Sequence, residues 1–506
     1  MTRSLAETPL RPSHTAPTPL TMLAALVGTQ ITDQALITGI TLRAQHALPG
    51  DLFVALPSLA PGRPHGADFA GTALRGGAAA VLTDPAGAGS PELGARPVPV
   101  LVHPDPRAVV GVLSSHIYGS PSTRLGVLGI TGTAGKTTTA YFLEAGLRAA
   151  GAATGLLGTV QLRVGEQQLP SEKTTPEAPD LQALLAVMAE RGVTHVPMEV
   201  SSHALALGRV AGTAFTVGAF TNLSQDHLDF HSDLEDYFAA KALLFDGRAA
   251  TEVVCVDDAW GRRLVTGQTT TVSLGGEATW RATDITAHPD GSQAFRALGS
   301  GHLEISVTIR LPGAFNVANA LLALAVGHAA GADPVVLARG IATAEVPGRM
   351  QRVNRGQDFL ALVDYAHKPA AVAALLDAVR AQIPGRLLVV LGCGGNRDTA
   401  KRPLMGVEAA RRADLLVVTD DNPREEDPAA IRAAMLSGAQ AGPADVMEIP
   451  DRAVAIAHAV SHARAGDAVV VAGKGHETGQ EIHGVKYPFV DADVLADLLD
   501  GLGVRT

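Results

Sequence analysis

Apolar residues along this chain gather in short blocks that end in glycine or in clusters of polar residues. From about Leu20 to His103 the blocks Asp51-Leu52-Phe53-Val54-Ala55-Leu56 and Ala78 to Thr83 alternate with turns, the pattern of a small α/β domain. A second region opens with the strand pattern Leu125 to Ile130, then a glycine-rich loop and a helical stretch. Further apolar blocks follow at Val193 to Val200, Phe215 to Phe220 and Glu252 to Val256, each with polar residues just past its C-terminal end. From about Pro347 onward, strand blocks Phe359 to Val363, Leu387 to Leu391, Leu415 to Thr419 and Ala468 to Val471 alternate with alanine-rich helical stretches such as Ala370 to Arg380 and Pro428 to Gly438. That alternation predicts a parallel, Rossmann-like sheet. The expected organisation is α/β in three domains, over residues 1–105, 106–346 and 347–506. The first 20 residues, with four prolines, read as a disordered arm.

Composition narrows the class. With 506 residues, 46% hydrophobic and 18% charged, the chain can bury several cores. A net charge of −10 argues against a general nucleic-acid binder, while leaving room for a local nest of backbone N–H groups that holds phosphate. Cys255 and Cys393 are the two cysteines; they supply neither a disulfide framework nor a zinc site, and they suit a reducing cytosol. No apolar run reaches the roughly 18 residues of a membrane span.

Chemistry concentrates at the ends of the apolar blocks. Gly129-Ile130-Thr131-Gly132-Thr133-Ala134-Gly135-Lys136-Thr137-Thr138-Thr139 follows a strand and opens a helix. Its glycines let backbone N–H groups approach phosphates, Lys136 can neutralise phosphate oxygens, and Thr137 can ligate Mg²⁺. It is a variant P-loop, with its first glycine one residue early. Met198-Glu199-Val200-Ser201-Ser202-His203 places a carboxylate at a strand end, where it can hold the same Mg²⁺. Thr221 to His231 packs Asp226, His227, Asp229 and His231 into six residues, a cluster suited to metal or phosphate. Lys241 is the one charged residue in Tyr237 to Phe245; by itself it reads as a snorkelling lysine. In the last region Asp364 to Pro369, Gly392 to Asp398, Asp420 to Arg424 and Gly473 to Glu477 each follow an apolar strand, so all four should gather on one sheet edge, where such sheets place ligands.

Together these motifs, in this order and over about 380 residues, resemble the Mur ligase family, in its tripeptide-forming branch. The resemblance implies a UDP-binding domain, a central ATPase and a C-terminal Rossmann-like domain. It implies that ATP phosphorylates the γ-carboxylate of UDP-N-acetylmuramoyl-L-alanyl-D-glutamate, and that the amine of a diamino acid displaces the phosphate. Carried over by position, Gly132, Thr133, Ala134, Gly135, Lys136, Thr137, Thr138, Asn316, Asn319 and His367 would hold ATP. Lys136, Glu199, His227, Lys241 and Arg349 would be catalytic. Lys241 would be a CO₂-derived carbamate that, with Thr137, Glu199 and His227, serves two Mg²⁺ ions. Thr174, Thr175, Ser201 and Arg209 would hold the UDP-linked dipeptide. Arg397, Asp421, Asn422, Pro423, Arg424, Gly473 and Glu477 would hold the incoming amino acid, with Asp421 to Arg424 pointing to meso-diaminopimelate ahead of L-lysine or L-ornithine. A cytoplasmic monomer acting on small molecules, with no nucleic-acid partner, is the expectation. Two departures stand out: Arg43-Ala44-Gln45 occupies the place of the family's usual Asp-Ser-Arg, and Leu207 replaces a glutamine near Arg209. A folylpolyglutamate-synthetase-like ligase and a regulatory P-loop ATPase are the competing possibilities.

Overall fold

The computed structural model describes residues 10–58, 62–94, 97–288, 291–440 and 442–502. It divides into two compact units, one comprising 1–272 with 322–337 and the other 273–321 with 338–506. The helices Ala314–Ala329 and Pro334–Ile341 carry the chain across the division. Among the described residues no helix is long and apolar enough to cross a membrane.

The first unit holds two arrays whose central strands run parallel. Strands Gly39–Thr41, Asp51–Ala55, Ala80–Thr83 and Val100–Val102 form a four-stranded sheet in chain order, all parallel. Its apolar face, with Leu52, Val54 and Leu82, shares one core with Leu113 and Ile117 of helix Pro106–Ile117 and with Ala183 and Ala186 of helix Ala178–Glu190. The larger array is centred on strand Gly126–Thr131, flanked in parallel by His195–Glu199 and Phe215–Phe220. Both faces of these strands are covered, which is why they read as continuous apolar runs. Register sets the site: Glu199 pairs with Ile130 and Phe220 with Thr131, so the loops leaving three neighbouring strands emerge side by side.

The expected disordered arm needs correction from residue 10 onward. Residues 1–9 lie outside the described residues, but Arg11 pairs with Asp51 at 3.2 Å and lies over the Tyr118 ring. The Ser13 and His14 backbone N–H groups donate to the Glu190 carboxylate. The prolines here shape an extended segment that finds polar partners at both ends.

The second unit contains antiparallel strands Trp280–Ala287, Gln293–Leu298 and Glu304–Ile309, which strand reading of the sequence passed over. Its main sheet has six strands in the order Gln351–Arg352, Leu360–Asp364, Ala468–Ala472, Leu387–Leu391, Leu415–Val418 and Asp445–Glu448. All but the first are parallel, as the alternation predicts. Asp364 and Leu391 both pair with Ala472, and Leu391 also pairs with Val418, so the four polar loops leave one edge.

Candidate active site

In the first unit the P-loop follows a fully buried strand and runs into helix Lys136–Ala149. Gly135 caps the helix at φ 87°, and a Cβ on Gly132 would stand 1.8 Å from Thr221 Oγ1. Glycine is thus required at both positions, by backbone sign at one and by space at the other. The loop is braced from the neighbouring strand end. Thr133 N–H donates to Asn222 O at 2.8 Å, Ala134 N–H to Asn222 Oδ1 at 3.1 Å, and Thr221 Oγ1 to Ala134 O at 2.7 Å. Lys136 Nζ folds over the loop onto the Gly132 and Thr133 carbonyls at 2.8 and 3.0 Å.

Glu199 is 1% exposed. Its carboxylate accepts hydrogen bonds from Thr137 Oγ1 at 3.0 Å to each oxygen, from Thr159 N–H at 2.8 Å and from Thr159 Oγ1 at 3.1 Å. These donors are hydroxyl and backbone N–H groups, gathered beside the helix start. That donor set fits Mg²⁺, which takes one or two protein ligands and completes its shell with phosphate and water. Among the described residues no group of three His, Cys, Asp or Glu side chains is arranged to hold a metal by itself.

Lys241, 1% exposed, donates from Nζ to Gly132 O at 2.8 Å and sits 4.4 Å above the Tyr237 ring. It is therefore tucked beneath the P-loop, and the snorkelling alternative is set aside. Tyr237 OH hydrogen-bonds Thr133 Oγ1 at 3.2 Å. The His227 ring lies 6.0 Å from that of Tyr237, with Nε2 3.1 Å from Asp226 Oδ2 and a left-handed φ of 53°. His203 packs between His227 and Phe230, and burial lowers its pKa.

Thr174, Thr175, Ser201 and Arg209 also converge. Thr174 Oγ1 meets Thr159 Oγ1 at 2.9 Å, and Thr175 Oγ1 donates to Glu199 O at 2.9 Å and accepts from Ser201 N–H at 3.1 Å. Arg209 Nε pairs with Glu177 at 3.0 Å. Burial pushes the Glu177 carboxyl up, but Lys173, Arg209 and Arg107 together hold it below its ordinary value. Arg43 reaches Glu172 at 2.5 Å. Thr138 is buried on the first turn of helix Lys136–Ala149.

In the second unit Asp364 organises one end of the sheet edge. Its carboxylate accepts from Met350 N–H and Ala366 N–H, each at 2.7 Å. Burial raises its pKa against the pull of Arg349. The Arg349 guanidinium lies 4.3 Å over the Tyr365 ring. Asn316 Nδ2 donates to Pro312 O at 2.7 Å and lies 3.7 Å from Met350 Sδ, and Asn319 Nδ2 reaches Asn316 Oδ1 at 3.3 Å. His367 Nδ1 is 2.8 Å from Tyr365 O, and burial with the charges of Lys368 and Lys401 pushes its pKa down to about 3. Asn316, Asn319, Arg349 and His367 thus share one neighbourhood.

The other end gathers the acceptor candidates. Asp421 and Asn422 are buried; Asn422 Nδ2 donates to Glu477 Oε2 at 2.7 Å. Gly473 adopts φ 112°, and a Cβ there would lie 2.7 Å from Asp421 Oδ2. Arg424 donates from Nη1 to Gly395 O at 2.6 Å and from Nε to Glu481 at 3.2 Å, while Pro423 is buried behind it. Its partner is the hairpin residue Glu481, not the neighbouring Asp420 or Glu425. Asp420 instead pairs with Arg432. Arg397 stands exposed on its loop.

Sequence reading missed Thr159, Tyr237, Lys474 and Arg452 in these clusters. Gly158 offered a signal for the first: a Cβ there would lie 2.5 Å from Glu199 Oε1. Arg452 is wholly buried against Asp491 at 2.7 Å and donates to Ala472 O at 3.0 Å, behind the acceptor loops.

Residues 130–327 match the model of the Mur ligase middle domain, and residues 348–475 that of the Mur ligase glutamate ligase domain. A 2,6-diaminopimelate ligase acting on UDP-N-acetylmuramoyl-L-alanyl-D-glutamate, from Corynebacterium glutamicum, is 54% identical over 455 residues, 87% of each chain. The chain belongs to the Mur ligase family. A protein of the same name from Streptomyces coelicolor is 52% identical over 97% of this chain and 98% of its own. A solved structure of a ligase of that name superposes with a TM-score of 0.69 at 32% identity, covering 96% of this chain and all of the other. This Mur ligase is therefore matched along nearly its whole length, including the four-stranded sheet that the two family models leave uncovered.

Proposed function

We propose that this Mur ligase adds meso-diaminopimelate to the D-glutamate γ-carboxylate of UDP-N-acetylmuramoyl-L-alanyl-D-glutamate, with ATP cleaved to ADP and phosphate, as a cytoplasmic monomer in peptidoglycan precursor synthesis. The observation that carries the reading is the coupling of P-loop, Glu199 and Lys241 in one buried cluster, in a chain half identical to relatives named for that reaction. The three-domain division at about residues 105 and 346 is part of the proposal.

A carboxylate is a poor electrophile, and two anions must meet for it to be phosphorylated. Mg²⁺ bound beside Thr137 and Glu199 supplies charge screening for that encounter. Lys136 swings from the Gly132 and Thr133 carbonyls onto the phosphates, and the loop N–H groups with the helix N-terminus hold them. Arg349, Asn316, Asn319 and His367 serve the nucleotide, with His367 neutral. Carbamylation of Lys241 turns a cation into an anion beside the phosphate loop, with His227 close by through Tyr237. Thr174, Thr175, Ser201 and Arg209 hold the dipeptide, whose γ-carboxylate attacks the terminal phosphorus. The acceptor amine, oriented by Arg397, Asp421, Asn422, Arg424, Gly473 and Glu477, then displaces phosphate. Arg424 pairs with the distal carboxylate of the acceptor, a geometry that guanidinium matches bidentately.

An acceptor panel tests this. With ATP and the UDP-linked dipeptide, phosphate release should depend on the acceptor, and meso-diaminopimelate should exceed L-lysine by on the order of 10³ in kcat/KM. Hydrolysis that ignores the acceptor defeats the ligase reading; a preference for L-lysine or L-ornithine defeats only the choice of acceptor.

A further inference from the structure

Lys474 has none of its surface exposed, and the mechanism above gives it no work. Burying an ammonium is costly unless charged and polar partners surround it. Its Nζ donates to Asn422 Oδ1 at 3.1 Å and to Glu477 Oε2 at 3.0 Å, and lies 3.7 Å from Asp421 Oδ1. Asn422 Oδ1 also accepts from Glu481 N–H at 2.9 Å, while Asn422 Nδ2 donates to Glu477 Oε2. One ammonium thus closes a ring that joins the loop after Leu415–Val418, the loop after Ala468–Ala472 and the strand Gly479–Ile482. The glycines on either side have φ of 112° and 55°, so the backbone turns sharply before and after the lysine.

The ring fixes two degrees of freedom. With Lys474 and Glu481 N–H both aimed at Oδ1, the Asn422 amide has one orientation. With Lys474 and Asn422 both on Oε2, the Glu477 carboxylate is pinned by one oxygen and presents the other. We propose that Lys474 is a positioning residue for the acceptor amino acid, holding Asn422 and Glu477 in the arrangement that receives it. This rests on the ligase reading, because it takes those two residues as part of the acceptor pocket. The partners of Lys474 – Asn422, Glu477 and Asp421 – are all residues assigned to the acceptor, so its loss should fall on the acceptor.

The test uses the full chain with Lys474→Met, which keeps length and removes charge and donors. Two readouts are compared. One is positional isotope exchange in ¹⁸O-labelled ATP with the UDP-linked dipeptide and no acceptor, which reports reversible carboxyl phosphorylation. The other is steady-state kinetics with meso-diaminopimelate. The expected result is an acceptor KM raised about 10- to 100-fold, with the exchange rate and the KM for ATP and dipeptide within about twofold of wild type. Lys474→Gln, which restores a neutral donor, should fall between. An unchanged acceptor KM overturns the proposal, and so does exchange that falls in step with acceptor turnover. If neither variant yields folded protein by circular dichroism, Lys474 belongs to the fold and the proposal is likewise overturned. Wild-type enzyme that shows no exchange would instead overturn the ligase reading beneath it.

Discussion

The P-loop cluster and the sheet edge that carries Asp421, Asn422 and Glu477, proposed to take the acceptor, fix their polar groups in opposite ways. The P-loop cluster relies on backbone. Two glycines, a helix start and carbonyls bonded by Lys136 and Lys241 come largely from one contiguous stretch, and the buried Glu199 carboxylate accepts from hydroxyl and N–H donors. The acceptor edge relies on side chains from separate strands, with buried charges already neutralised by one another: Lys474 by Glu477 and Asp421, Arg452 by Asp491. Substitutions in the first cluster should therefore strike turnover, and those in the second should strike acceptor affinity or stability.

The largest effect is expected for Lys136→Ala. Losing the Lys136 ammonium from the phosphate loop should lower kcat about 10³-fold, near 4 kcal/mol, with the thermal midpoint unchanged; near-normal phosphate release would break the contrast at its root. Next comes Lys241→Ala, expected to lose about 10²-fold in kcat and to regain part of it with a short-chain carboxylic acid that replaces the carbamate. Loss without any rescue would leave Lys241 as a brace for Gly132 O. Arg424→Ala sharpens the other side: KM for meso-diaminopimelate should rise about 10²-fold while KM for ATP stays put. If all acceptors weaken alike, the Glu481 and Gly395 contacts are its whole function.

Smaller effects concern stability. Arg452→Met strands the Asp491 carboxylate in the core and should cost about 3 kcal/mol in urea unfolding, whereas the double change with Asp491→Leu should recover most of it. The smallest concerns pH. The His367 pKa lies near 3 in the fold, below its ordinary value near 6.5, so the unfolded chain binds more protons between those limits. The contribution of neutral His367 is complete above about pH 6.5 and is lost as pH falls toward 3. By pH 5 about 2 kcal/mol of it should be lost, visible as a smaller drop in urea midpoint between pH 7.5 and 5 for His367→Asn than for wild type.

Most of the strand plan was legible because parallel strands buried on both faces are apolar throughout; Leu387–Leu391 and Phe215–Phe220 appear where the blocks place them. The P-loop was legible for a different reason: its chemistry lies within eleven consecutive residues. Thr159 was not, since its tie to Glu199 spans 40 residues and depends on a short strand and a glycine. Arg452 looked like any surface arginine of an alanine-rich helix; only the fold brings Asp491, 39 residues on, against it. The arm from residue 10 misled because prolines signal an unhelical chain, not an undocked one. Glu304 to Ile309 carried a clear period of two that went unread, buried at every second residue.

The Arg452 and Asp491 pair also sets an order on biosynthesis. Translation delivers the Asp420 to Arg424 loop, Arg452, the strand Ala468–Ala472 and the Gly473 to Glu477 loop before it delivers Asp491. Until that aspartate emerges, the guanidinium destined for the core lacks the one carboxylate it contacts directly at 2.7 Å, and only the more distant charges of Asp421 and Glu477 favour it. A nascent chain therefore carries the buried arginine for 39 residues before the carboxylate that pairs with it is made.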